Sequence, residues 1–122
     1  SALVASFAAI GEPARDGDVF DPYAVVVPYS KTYNDSRFLM SPGFSSPRDF
    51  LDTLTMGLDE LVHEDRTAMM TVAVHARWSG QAARAAIVRA FLEYAQRTPA
   101  VAFMRRVDIA RLWLDRYPPA EG

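Results

Sequence analysis

Polar side chains that could carry out acid–base chemistry follow three short apolar runs of the chain. His75 comes directly after the second run, residues 69–74, and an imidazole can donate or accept a proton near neutral pH. The other candidates also lie just beyond an apolar run: Tyr29, Asn34 and Asp35 after the first, Arg77 and Trp78 beside His75, and Arg105 after the third. Parallel strands share one carboxyl edge, where ligands bind, so we expect these clusters to converge.

Spacing alone leaves a second interpretation open for each candidate. His75 acts as a general acid or base, or it only hydrogen-bonds a loop carbonyl. Asp35 orients an imidazole or pairs with an arginine, or it forms an Asx-turn with Asn34. Arg77 and Arg105 hold an anionic or carbonyl-bearing substrate, or neutralise a buried carboxylate, or form surface ion pairs. The sequence therefore identifies residues that could do chemistry without assigning a reaction.

A structural role is the second interpretation of Trp78 and the expected role of the other histidine. Trp78 follows His75 in the candidate loop, yet packing is the more common role of a tryptophan there. The other histidine, His63, falls at the predicted end of a helix beside two acidic residues. It is expected to be a cation at the helix carboxyl terminus rather than part of a site.

Composition excludes several classes of protein. The chain has 122 residues, a net charge of -2, 50% hydrophobic residues and no cysteine. It therefore has neither a disulfide framework nor a cysteine nucleophile. Nothing in the charge balance indicates nucleic acid or an anionic membrane as a partner. No apolar run is long enough to cross a bilayer, and no signal peptide is recognised. The compartment stays undetermined, with the cytoplasm favoured.

The elements that must position the candidates alternate between strands and helices. Residues 1–22 are predicted to be coil because glycine and proline interrupt them. Predicted strands cover residues 24–27, 69–74 and 101–103, with a long polar loop over 29–46. The first predicted helix runs from Pro47, capped by Ser46, to about residue 63. The second runs from residue 80 or 81, capped by Ser79, to residue 97. The third begins at about residue 108, with Ile109, Trp113 and Leu114 facing inward. This pattern predicts an α/β fold with parallel strands.

Three segments of the chain together resemble the polysaccharide deacetylase family, in particular its allantoinase-like and peptidoglycan-deacetylase-like branch. The segments are residues 27–38, which read VPYSKTYNDSRF, residues 69–84, which read MMTVAVHARWSGQAAR, and residues 105–113. The similarity covers residues 24–117 and corresponds to the C-terminal half of the family's catalytic domain. It implies the last three βα units of a distorted (β/α) barrel.

The resemblance also implies a reaction. Members of the family hydrolyse a carbon–nitrogen amide bond, either an N-acetyl group on a sugar or a cyclic amide. A histidine in the position of His75 serves them as the general acid that protonates the leaving nitrogen. Asp35, or an arginine such as Arg77 or Arg105, would orient that histidine or the substrate. The residues implied to contact substrate are Tyr29, Asn34, Arg77, Trp78 and Arg105.

Other parts of the family pattern are absent from this sequence. The family carries its catalytic-base aspartate and its metal-binding aspartate and two histidines in the N-terminal half, and this chain has no such histidine pair. The resemblance therefore implies no metal in this chain, although zinc or another divalent metal belongs to the complete family fold. Whether the chain is an enzyme by itself stays open. Its expected partner is the missing N-terminal half of the barrel or a second copy. The alternative function is a truncated, non-catalytic module that self-associates.

Overall fold

The computed structural model describes residues 3–9 and 27–118 of the chain. It alternates strands and helices, and a short 3₁₀ helix, Asp35–Phe38, precedes the first long helix. The other elements follow in chain order: β1 (Leu3–Ala9), α1 (Pro47–His63), β2 (Ala68–Val74), α2 (Ala76–Ser79), α3 (Ala82–Arg97), β3 (Val101–Phe103) and α4 (Arg106–Arg116). The α/β class is confirmed.

The three strands form one parallel sheet in the order β2-β1-β3. Leu3 of β1 is paired with Ala68 of β2 on one side and with Val101 of β3 on the other. The pairing with β2 continues over seven positions to Ala9 and Val74. Since all three strands run in the same direction, their carboxyl ends lie at the same edge of the sheet.

The apolar core lies between β2 and the two long helices. The buried apolar residues of this cluster are Phe44, Phe50, Leu54, Leu58, Met70, Val72, Phe91 and Ala95. Alternation along β2 sends Met70 and Val72 into the cluster, and Thr71 and Ala73, which alternate with them, are also buried. A strand buried on both faces matches the continuous apolar run of its sequence.

Helix α1 begins as its sequence predicts. The Ser46 hydroxyl accepts a hydrogen bond from the main-chain N–H of Asp49, and the Asp49 carboxylate accepts one from the N–H of Ser46. This reciprocal capping box satisfies main-chain donors that the first turn of a helix leaves unpaired. Pro47 occupies the first helical position, where its missing N–H costs nothing.

The predicted coil over residues 1–22 is wrong at Leu3–Ala9, which forms the central strand of the sheet. This strand pairs with two segments that lie far away in sequence, so its local pattern carries little of the signal. The predicted strand over 24–27 falls outside the described residues except for Val27, which is buried and not in a strand. The strands predicted over 69–74 and 101–103 are confirmed.

Two details of the predicted helices are also wrong. Ser79 does not cap α3, because it ends the separate single turn α2, and Gln81 takes the N-cap position instead. Trp113 and Leu114 of α4 do not face inward, since 56% and 38% of their surfaces are exposed. Helix α4 contacts β1, and Ile109 is half-buried, but none of the α4 side chains is fully buried within the described part of the chain. None of the helices within the described residues has the length and apolar character that crossing a bilayer requires.

Candidate active site

A buried carboxylate and an imidazole form the centre of the candidate site. Asp35 is fully buried, whereas the His75 side chain is 21% exposed. The Nδ1 atom of His75 lies 2.7 Å from Oδ1 of Asp35, and the main-chain N–H of His75 donates to Oδ2 at 2.7 Å. Because a carboxylate only accepts hydrogen bonds, Nδ1 is the donor in this pair. The interpretation of Asp35 as the residue that orients an imidazole is the one the geometry supports.

A third donor reaches the same carboxylate. The hydroxyl of Ser79 donates to Oδ2 of Asp35 at 2.6 Å, and Ser79 is itself 7% exposed. Oδ2 thus accepts two hydrogen bonds while Oδ1 faces the ring. Ser79 was expected to cap a helix, so this contact is absent from the sequence prediction. The signal for it is the four-residue spacing from His75, which places the two residues one helical turn apart.

The loop before α1 holds Asp35 against the end of β2. The side-chain oxygen of Asn34 accepts the N–H of Ser36 at 2.9 Å and caps the 3₁₀ helix. The N–H of Ala73 donates to the carbonyl of Tyr33 at 2.9 Å. Asn34 and Ala73 thereby form an isolated parallel bridge, which attaches the loop to β2. The Asx-turn therefore belongs to Asn34, and it leaves the carboxylate of Asp35 available to His75.

Tyr33 anchors this loop on α1. Its ring lies against Gly57, where an added Cβ would come within 2.5 Å of the tyrosine oxygen. A glycine in this helix thus permits the close approach of the ring. Burial, and then the negative charge of Glu64, raise the pKa of Tyr33 above its ordinary value. The phenol consequently stays protonated at neutral pH and contributes no charge near the site.

The other predicted site residues are only partly brought together. Trp78 is half-buried, and its ring centroid lies 4.5 Å from that of His75, so it packs on the imidazole. Arg77 is exposed on α2, and Tyr29 is 51% exposed in the loop after Val27. Neither residue contacts the Asp35–His75 pair through any described interaction. Asn34 is buried, and its side chain serves the turn.

Arg105 forms the surface ion pair that the sequence left as its alternative. Its guanidinium binds the carboxylate of Asp108 through two hydrogen bonds, of 2.8 and 3.1 Å. Hydrogen bonding to Asp108 raises the pKa of Arg105, and the same contact lowers the pKa of Asp108. With both groups near the solvent, the pair contributes little to stability. The neighbouring Arg106 donates instead to the carbonyl of Val27.

No family model matches the chain. A protein of Schizosaccharomyces pombe named polysaccharide deacetylase is 27% identical over 108 residues, which is 86% of this chain and 34% of that protein. The crystal structure of Puue allantoinase superposes with a TM-score of 0.73 and 38% identity over 77% of this chain and 32% of the allantoinase.

A second crystal structure agrees with the first. The polysaccharide deacetylase of Pseudomonas aeruginosa PAO1 superposes with a TM-score of 0.74 and 34% identity, over 82% of this chain and 36% of the deacetylase. The chain is therefore similar in sequence and in fold to one part of proteins named polysaccharide deacetylase and allantoinase. It spans about a third of the length of each relative that it matches.

The residues at this site do not fit the divalent metal that the resemblance implies for the complete fold. Within residues 3–9 and 27–118, no group of three or more His, Asp or Glu side chains is arranged to hold an ion. His75 and Asp35 are bonded to each other, and the carboxylate already accepts three hydrogen bonds. Such an arrangement is suited to holding an imidazole and moving a proton, not to coordinating a cation.

Proposed function

We propose that these residues supply part of the active site of a hydrolase that cleaves a carbon–nitrogen amide bond, with His75 as its general acid. The contact between Nδ1 of His75 and the buried carboxylate of Asp35 is the observation that carries the proposal. A carboxylate on one ring nitrogen fixes the orientation of the imidazole and leaves the other nitrogen, Nε2, for the reaction. Among the described residues, Asp35 is the hydrogen-bond partner of the ring.

Amide hydrolysis needs an acid at this position. After water adds to the carbonyl carbon, the carbon–nitrogen bond of the tetrahedral intermediate breaks, and its electron pair goes to the nitrogen. An amide anion is a very poor leaving group, so the nitrogen departs only as it gains a proton. For this step the ring of His75 must be the imidazolium, because Nδ1 keeps its proton on Asp35 while Nε2–H gives one to the nitrogen. The nitrogen leaves as a neutral amine, and the imidazole is left neutral. Asp35 holds the ring in place while the proton moves.

The names of the matched proteins suggest two substrate classes. One is an N-acetylated sugar polymer and the other is a cyclic amide of the allantoin type. The catalytic base and any divalent metal would come from the two thirds of the family fold outside the matched region. The described strands and helices, including β1 at Leu3–Ala9, would then form one part of the complete distorted (β/α) barrel. The 122-residue chain alone would not turn over substrate.

The proposal is tested in a hybrid enzyme. Residues 27–117 of this chain replace the matching segment of the Pseudomonas aeruginosa deacetylase, and hydrolysis of acetylated glucosamine oligomers and of allantoin is measured. We expect His75→Gln to lower kcat by about 100-fold or more, in the range that general-acid catalysis contributes. His63→Gln is the matched control, because His63 lies exposed at the end of α1.

Two results would contradict the proposal. If the His75→Gln hybrid keeps the kcat of its parent, His75 is not the general acid. If the isolated 122-residue chain hydrolyses either substrate and loses that activity on His75→Gln, the chain does not depend on a base or a metal from elsewhere. The intact masses in the sample are determined first, so that a companion polypeptide is recognised.

A second candidate function is a non-catalytic module that self-associates through α4. Exposure of Trp113, at 56%, and of Tyr117, at 59%, favours it, since large exposed apolar groups often mark an interface. Their rings contact each other at a tilt, with centroids 4.5 Å apart. Sedimentation velocity over a range of concentrations would show a dimer that Trp113→Glu dissociates. A monomer at high concentration would exclude this function.

A further inference from the structure

We propose that Ser79 is a positioning residue for the Asp35–His75 pair and acts through the Asp35 carboxylate. The proposal rests on the proposed role of His75 as general acid. Ser79 does not touch the imidazole in the described contacts; its hydroxyl donates to Oδ2 of Asp35 at 2.6 Å. Its function is therefore to fix the plane of the carboxylate that in turn fixes the ring.

The carboxylate needs such a partner because its own torsion is soft. The bond between the Cβ and Cγ atoms of an aspartate has broad rotational minima, unlike a bond between two tetrahedral carbons. At Asp35 the plane is instead defined by donors: the main-chain N–H of His75 and the hydroxyl of Ser79 both bond to Oδ2. With Oδ2 held by both donors, Oδ1 is left facing Nδ1 of His75 at 2.7 Å.

Helix α2 delivers the hydroxyl to this point. His75 is the N-cap residue of the single turn Ala76–Ser79, and the N–H of Ser79 donates to the carbonyl of His75 at 2.9 Å. Residues four positions apart lie on the same face of a helix, so Ser79 lies on the same face of this turn as His75. The same turn places Trp78 against the imidazole, and α3 begins separately at Ala82.

Burial distinguishes this contact from a surface hydrogen bond. Asp35 is 0% exposed and Ser79 is 7% exposed, so water does not readily replace the hydroxyl when it is removed. Hydrogen bonds to a charged group are stronger than those between neutral groups. A purely structural serine would also satisfy its hydroxyl, as Thr71 does with the carbonyl of Pro28. The two roles differ in whether the imidazole responds to the loss of the hydroxyl.

The first experiment observes the ring directly in the 122-residue chain. The sequence has two histidines, so a His63→Gln background leaves His75 as the single ring in a ¹⁵N-histidine spectrum. We expect a downfield, exchange-protected Nδ1 proton, held by Asp35. Ser79→Ala should move it upfield or broaden it, and Ser79→Thr, which keeps the hydroxyl, should restore it. Thr71→Val is the matched control: it also removes a buried hydroxyl, and it should leave the Nδ1 signal unchanged.

The second experiment measures catalysis in the hybrid enzyme described above. Ser79→Ala should lower kcat roughly tenfold, the size of one hydrogen bond to a charged group, and leave KM unchanged. Ser79→Thr should recover most of the loss. Thr71→Val should cost stability without changing kcat by more than about twofold.

The outcomes separate this inference from the proposed function. If His75→Gln has no effect on kcat, the general-acid role fails, whatever Ser79 does. If His75→Gln lowers kcat but Ser79→Ala matches the parent in kcat and in its Nδ1 signal, the general-acid role stands and the positioning role of Ser79 is wrong. If Ser79→Ala and Thr71→Val disturb the Nδ1 signal alike, Ser79 is only structural, and the inference is overturned.

Discussion

At the scale of single residues, the acceptor capacity of Asp35 is what organises the site. Its carboxylate is fully buried and accepts from the main chain of His75, from Nδ1 of the same residue and from Ser79. A truncation here leaves buried donors without a partner, which costs more than the loss of the hydrogen bonds themselves. Replacement by an amide keeps one acceptor and adds a donor, so the two substitutions have different consequences.

We predict that Asp35→Ala destabilises the chain by about 3 kcal/mol in urea unfolding. Asp35→Asn should cost less, because its amide oxygen can accept from Ser79 and from the main chain of His75. The amide nitrogen would then donate to Nδ1, and the neutral ring would change to the tautomer protonated at Nε2. A ¹⁵N spectrum of His75 would detect this change. Asp52→Ala on the exposed face of α1 is the control and should shift stability by less than about 0.5 kcal/mol.

The residue-scale prediction fails if Asp35→Ala is no less stable than Asp52→Ala. It also fails if Asp35→Asn retains the ring proton on Nδ1. Sequence reasoning could place His75 and Asp35 in the site because each follows an apolar segment in a recognisable motif. It could not choose between the turn and the imidazole for Asp35. That choice depends on Asn34 taking the turn, which is a matter of side-chain geometry.

At the scale of elements, the charged cap of α1 makes the stability of the chain depend on pH. The main-chain N–H groups of Ser46 and of Ser45 donate to the Asp49 carboxylate, each at 2.9 Å, and hold the pKa of Asp49 below its ordinary value of 3.8. The negative charge of the Asp49 carboxylate also interacts favourably with the helix dipole, which is positive at the amino terminus of α1. These contacts exist only in the folded chain, so they link folding to the protonation of Asp49.

The pH dependence of this cap has a definite sign. Because the pKa of Asp49 is lowered by folding, its contribution to stability is fully present above the unfolded value and is lost as the pH falls through the folded value. We therefore expect the stability difference between the wild type and Asp49→Asn to be constant above about pH 5 and to shrink below about pH 4. Urea unfolding followed by circular dichroism at several pH values measures it.

The hydroxyl of Ser46 provides an independent test of the capping box. Ser46→Ala removes the other half of the capping box and should cost about 1 kcal/mol at neutral pH, as is typical of an N-cap serine. A difference between the wild type and Asp49→Asn that does not change between pH 6 and pH 3 would contradict the assigned role of Asp49.

Elements differed in how far the sequence could predict them. Helix α1 carries a cap, a proline and an apolar stripe, and β2 is a continuous apolar run, so both have strong local signals. The single turn α2 is too short for any periodicity. The segment that forms β1 contains four small residues, alanine or serine, among its seven, and such residues have weak strand preference. Its pairing partners decide its conformation, and they are distant in sequence.

At the scale of the whole molecule, β1 joins two halves of the sheet that do not touch each other through hydrogen bonds. Strand β2 pairs with β1 on one side, and β3 pairs with β1 on the other. Without β1, the helical core on β2 and the segment that carries β3 lose their connection through the sheet. A defect in this one strand therefore acts on both sides, whereas a defect in β3 affects one edge.

The central position of β1 leads to a prediction with prolines. Successive residues of a strand direct their N–H groups toward opposite neighbours, so Val4→Pro and Ala5→Pro each interrupt a different ladder. We expect each to destabilise the chain by about 3 kcal/mol, measured by urea unfolding. Ala5→Val is the control, since it keeps the main-chain donor and has good strand preference. If both prolines leave the unfolding midpoint unchanged, β1 does not hold the sheet together, and the helices on β2 are stable without it.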